Sequence, residues 1–147
     1  PKILIGCDHA AYTFKLELMG RLGGRLESPL GIFSFEDLGT HNSERCDYPD
    51  FAAAVTKSVL ETQNFGILIC GSGQGMAMKA NRYKGIRAAL CWDVASAVLS
   101  RKHNDANILC LGARLLPLGL AEDIVRMFFS SVFEGGRHAE RLKKLDT

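Results

Sequence analysis

Two textures alternate along this chain. Short apolar or β-branched runs end in Gly, Asp or Asn, and longer stretches with helical periodicity follow them. The runs predict strands over 2–7, 65–70, 86–91 and 107–111. A further extended region falls within 26–38, where Ser28-Pro29-Leu30-Gly31 reads as a turn or insertion. The periodic stretches predict helices over 11–23, 48–62, 75–82, 93–102 and 117–129. Pro49 suits a first helical turn, and Asp93 suits an N-cap. After the Gly135-Gly136 break a last short helix runs to 144. Five strand–helix alternations predict an α/β fold: a five-stranded parallel sheet covered by helices on both faces, in one domain over 1–147. Ligands of such sheets bind beyond the carboxyl ends of the strands. Asp8 and His9 follow the first strand, the segment 70–75 the third, and Arg114 the fifth.

Composition narrows the class. With 47% hydrophobic and 23% charged residues, the chain reads as an ordinary globular protein. No segment approaches the ~20 apolar residues that cross a bilayer, and the N-terminal residues run directly into a strand pattern, so neither a membrane span nor a targeting segment is expected. A net charge of +2 gives no argument for nucleic acid. Five cysteines (Cys7, Cys46, Cys70, Cys91 and Cys110) with no C-x-x-C spacing speak against a disulfide framework and against a zinc site. They point to a reducing, cytoplasmic-type compartment.

One cysteine has a distinctive address. Cys70-Gly71-Ser72-Gly73-Gln74-Gly75 places a thiol at a strand end, before glycines at alternate positions and a helix start. Such a loop aims N–H groups and the positive end of a helix at one spot, which suits a phosphate or a developing oxyanion. A plain tight turn accounts for glycines there equally well. Met76 fails the Walker pattern, the third glycine of a dinucleotide loop and the arginine of a Cys-x5-Arg phosphatase. What remains is a thiol opening an oxyanion-binding loop, able to act as nucleophile or general base.

Histidines and arginines form the other candidates. His9, His103 and His138 each stand beside Gly, Asn, Asp or Arg at predicted element ends, whereas His41 reads as a loop residue. Arg137 and Arg141 share one helix face and, with Arg114, could hold a phosphate dianion. A solvated basic helix is the commoner meaning of such a run.

Taken together, Gly6-Cys7-Asp8-His9, Asp47-Tyr48-Pro49, the loop 70–75, Ala80-Asn81-Arg82, Gly85-Ile86-Arg87-Ala88, the run 100–107, Gly112-Ala113-Arg114 and Gly135-Gly136-Arg137-His138 resemble ribose-5-phosphate isomerase type B. That group includes galactose-6-phosphate isomerase subunits. The resemblance covers nearly the whole chain. It implies a Rossmann-like three-layer sandwich, a homodimer or tetramer with shared active sites, and aldose–ketose isomerisation through a cis-enediol(ate) without metal or cofactor. By the same resemblance Cys70 is the base, the N–H groups of Gly71, Ser72, Gly73, Gln74 and Gly75 hold the enediolate oxygen, and the Ser72 hydroxyl bonds the sugar or relays protons. His103 is the acid that opens the furanose ring, with Asp8 close to that step. Tyr48 and Asn104 match sugar contacts; His9, Arg114, Arg137 and Arg141 match phosphate contacts. Members without the cysteine carry a glutamate base where this chain has Met76, so Cys70 has no rival here. The segment 28–37 looks longer than usual, and Trp92 stands where many members are smaller. A hexose 6-phosphate isomerase and a non-catalytic sugar-phosphate sensor are the alternatives.

Overall fold

The computed structural model describes residues 1–147. Strand β1 spans Lys2–Cys7, β2 Arg25–Ser28, β3 Gly31–Asp37, β4 Phe65–Cys70, β5 Ala88–Leu90 and β6 Ile108–Gly112. Helix α1 spans Tyr12–Leu22, α2 Tyr48–Thr62, α3 Gln74–Ala80, α4 Val94–Asn104, α5 Leu118–Ser130 and α6 Arg137–Leu142. The strands form one sheet in the order β2-β3-β1-β4-β6-β5. The fold is the expected Rossmann-like α/β sandwich, with one correction. Five strands are parallel, but the sheet has six: β2 pairs antiparallel with β3. Ser28-Pro29-Leu30-Gly31 is the turn of that hairpin, where Ser28 Oγ accepts from Leu30 N–H at 3.1 Å. The long segment 28–37 is therefore an edge hairpin.

Period-two alternation divides the strand residues between two cores. Ile3, Ile5, Ile67, Ile69, Leu109 and Leu111 face α1, α4 and α5. Leu4, Leu68, Cys70, Ile108 and Cys110 face α2 and α3. The cysteine opening the glycine loop thus belongs to the α2/α3 layer. Two glycines set how closely α2 can approach. A Cβ on Gly6 would lie 2.7 Å from Val55 Cγ2, and one on Gly66 would lie 2.9 Å from Val55 Cγ1. Bare backbone at both points lets Val55 seat α2 against the sheet. The first residue of α2, Tyr48, then reaches the loop after β4.

The predicted fourth strand is shorter than its apolar run. The Arg87 N–H bonds the Asn107 side chain (2.8 Å) rather than a neighbouring strand, so only Ala88–Leu90 pair as β5. On its outer edge the Asn81 amide bonds both the N–H (2.8 Å) and the C=O (2.9 Å) of Ala88. Helix α4 opens with the expected Asp93 cap, reinforced by Ser96 in a capping box. It ends at Asp105 in the left-handed conformation. There Arg101, 3% exposed, donates to Asp105 (2.8 Å), Ala106 O (2.7 Å) and Ser131 O (3.3 Å) and lies over the Phe65 and Phe128 rings.

Gly6→Ala is expected to destabilise the protein by about 1–3 kcal/mol through overpacking against Val55. Adding Val55→Ala should return part of that loss, since the two changes share one contact. Urea titration of the single and double variants checks this; strictly additive losses would refute the close-approach account.

Candidate active site

Strand β4 ends at Cys70 and turns into α3 over three residues. Gly73 has φ +78°, and a Cβ there would lie 2.7 Å from Leu90 Cδ1 and 2.8 Å from the backbone of Leu111. Conformation and space both demand glycine. The loop is fixed from the other side by the end of β6. Ala113 N–H donates to Cys70 O and Arg114 N–H to Gly71 O, both at 2.9 Å. A Cβ on Gly112 would strike the Ser72 carbonyl at 2.7 Å. Held this way, Cys70 Sγ accepts the Gly73 N–H at 3.2 Å. Ser72 Oγ accepts the Gln74 N–H at 3.3 Å. The Arg114 guanidinium lies across Gly71, its Nη1 3.3 Å from where a Cβ would stand. The Tyr48 ring closes over Gly75, leaving no room for a side chain there.

These residues line a cleft of about 400 Å³, formed by Asp8, Tyr48, Cys70, Gly71, Ser72, Gly75, Arg114 and Leu115. The volume falls in the range of small-molecule sites. Asp8 is 8% exposed and accepts the Ala11 N–H. His9 follows Asp8 in the chain but does not itself line the cleft. Its Nδ1 accepts the Cys46 N–H at 3.2 Å, which fixes the orientation of the ring. Ser72 and Gln74 also border a smaller, mainly apolar hollow of about 210 Å³ whose wall includes Trp92.

The remaining predicted residues collect elsewhere. His103 and Asn104 end α4, and the Glu134 N–H bonds Lys102 O at 3.0 Å. Register places the amino ends of β4 and β6 together, Gly66 beside Ile108, and their carboxyl ends together, Cys70 beside Gly112. His103 precedes β6, so it lies near the amino ends. At ~3.3 Å per residue the two ends are on the order of 13 Å apart along the strands. Helix α4 also packs on the face opposite Cys70. His103 and His138 stack with ring centroids 4.3 Å apart, and Arg137 and Arg141 sit exposed on α6 close by. One chain therefore holds two clusters: a cleft that carries a thiol and the glycine loop, and a histidine–arginine group at the other end of the sheet.

A family model for the ribose/galactose isomerases matches residues 3–145. The chain belongs to this isomerase family. It is 41% identical over 145 residues to ribose-5-phosphate isomerase B of Escherichia coli strain K12, covering 98% of this chain and 93% of that protein. A crystal structure of a ribose 5-phosphate isomerase from Thermotoga maritima matches with TM-score 0.90 and 47% identity, over 99% of this chain and 97% of that one. The type B ribose 5-phosphate isomerase of Trypanosoma brucei matches with TM-score 0.90 and 38% identity, over 99% and 96%.

The isomerase fold contains supports that residue patterns did not single out. Lys15 is fully buried, donating to Asp37 Oδ1 at 2.7 Å and Thr40 O at 2.6 Å. It ties the chain after β3 beside the end of β1, where Thr40 N–H reaches Cys7 O. Its spacing to Leu18 and Leu22 was the available signal: a cation on the apolar stripe of α1. Leu115 and Glu134 had no such signal.

Burial separates the thiols. It pushes Cys7 up to about 11 and raises Cys91 and Cys110 as well. These three are held as neutral core groups at neutral pH. Cys46 is partly exposed, and Cys70 borders the cleft. A thiol-alkylating reagent at neutral pH should therefore label Cys46 and Cys70 well before Cys7, Cys91 and Cys110. Peptide mapping over time checks this, and uniform labelling would refute it.

Proposed function

We propose that this isomerase interconverts ribose 5-phosphate and ribulose 5-phosphate through a cis-enediolate, with Cys70 as the base. The observation that carries the reading is the Gly73 N–H donated to Cys70 Sγ within a cleft crossed by the Arg114 guanidinium. That bond holds the sulfur in place at the wall of the cleft. The thiolate takes the proton from C2 of the open-chain aldose. The C–H electrons form the C1–C2 double bond, and the carbonyl oxygen takes up the charge. The free N–H groups of 71–75 stabilise that oxygen, as in an oxyanion hole. The proton then returns from sulfur to C1 while the O2 proton passes to O1, with Ser72 as the relay. Tyr48 binds the sugar, and His9 and Arg114 bind the phosphate.

The ring-opening acid His103, the sugar contact Asn104 and the phosphate contacts Arg137 and Arg141 lie at the other end of the sheet in the same chain. This separation supports a site completed by a second copy, in a homodimer or tetramer. Asp8, at the cleft, assists ring opening there. Five free thiols support a reducing, cytoplasmic setting.

Cys70→Ala should lower turnover by roughly 10²–10⁴-fold, the usual worth of a general base, while ribose 5-phosphate still binds. Loss of C2 exchange in deuterium oxide, with binding retained by calorimetry, is the expected result; near-normal turnover would refute the base. Wild-type protein should exchange C2 of ribose 5-phosphate faster than that of allose or galactose 6-phosphate. Exchange on a hexose phosphate alone overturns the pentose assignment, and binding without exchange indicates a sensor.

Separately inactive Cys70→Ala and His103→Ala chains should regain about a quarter of wild-type activity after subunit exchange. Half of randomly exchanged pairs are mixed, and each holds one intact site. No recovery despite exchange confirmed by mass spectrometry would refute the shared site.

A further inference from the structure

His103, Glu134 and His138 form a cluster of their own. Glu134 Oε1 lies 3.4 Å from His138 Nε2 and 3.7 Å from His103 Nε2. Both separations exceed the 2.7–3.2 Å range of a hydrogen bond to nitrogen. They match another spacing. Four ligands at ~2.1 Å from a tetrahedral ion stand about 3.4 Å from one another. One ligand atom from each residue lies within 4.8 Å of the others. Two imidazoles and a carboxylate form a donor set that divalent ions of the zinc class accept, with a position left for water.

We propose that His103 Nε2, His138 Nε2 and Glu134 Oε1 form a reversible site for a divalent transition-metal ion of the zinc class, and that its occupancy withdraws His103 from isomerisation. The second half rests on the role given to His103 above; the first does not.

The rings stack at 14° to one another, so both nitrogen edges face Glu134 on one side. Near-parallel rings do not aim their lone pairs at a single point. His103, 41% exposed at its side chain, is free to turn about χ2 and bring them together; His138, at 12%, is the fixed half of the site. The neighbouring cations Arg137 and Arg141 oppose a metal ion, which makes this a reversible site rather than a structural one. Metal capture and acid catalysis compete for the same Nε2. An imidazole that coordinates through Nε2 has no proton there to give.

Competition with a chromophoric zinc chelator tests the site directly. Wild-type protein should bind one zinc ion per chain, and Glu134→Gln/His138→Gln should bind at least about tenfold more weakly. The cobalt(II) form should absorb as a nitrogen–oxygen site, with no thiolate-to-metal charge-transfer band. Equal affinity in the double variant, or such a band, overturns the site by moving the ion to a cysteine. Zinc should inhibit the wild-type enzyme, reversibly with chelator. Glu134→Gln alone, outside the reaction machinery, should keep basal turnover and lose most of that sensitivity. Binding that depends on both residues but leaves turnover unchanged refutes the role of His103 while the site stands.

Discussion

Two backbone hydrogen bonds govern the rest of this molecule: Ala113 N–H to Cys70 O and Arg114 N–H to Gly71 O. They extend the β4–β6 ladder past the last residues of both strands. The turn into α3 is then held flat against the end of β6, so close that Gly112 and Gly73 have no room for a Cβ. Under that constraint the Cys70 sulfur meets the Gly73 N–H, and the Arg114 side chain lies across Gly71. The geometry belongs to backbone and sterics. A site built this way is organised before any ligand arrives, and side-chain rearrangement contributes little to its shape.

Parallel topology imposes a second condition. Each crossover helix returns the chain to the amino end of the sheet, so whatever sits at the end of α4 is remote from Cys70. Arg101 makes that remoteness firm. Its guanidinium joins the end of α4 to Ala106 and Ser131 between aromatic rings, and His103 follows two residues later. Burial works against its charge, and Asp105 offsets part of that cost. The histidine end is thus as rigidly mounted as the thiol end, and the two cannot approach each other within one chain.

How much of this was legible in the sequence depended on whether the signal was local. Strands β1 and β4 begin and end where their apolar runs do, and β6 is displaced by one residue, because central strands buried on both faces read as unbroken apolar runs. The β2–β3 hairpin was blurred, since edge strands alternate polar and apolar residues around a turn. The run 86–91 looked like a longer strand because the Asn107 side chain replaces a neighbour's backbone at Arg87. At the site, the glycine loop announced itself through composition. The separation of His103 from Cys70 did not, because it follows from the path of the whole chain. Glu134 stands four residues before His138, but its meeting with His103 was hidden for the same reason: it depends on the Glu134 N–H reaching Lys102 O at the end of α4.

The hairpin and the Asn81 side chain share a consequence at the margins of the sheet. On one margin β2 is four residues long and carries the Arg25–Glu27 ion pair. On the other, the Asn81 amide fills the outward N–H and C=O of Ala88. An exposed row of unpaired amides would template the addition of foreign strands. Here a brief charged strand and an amide side chain occupy those positions. Edge-to-edge stacking into fibrous aggregates is disfavoured at both margins.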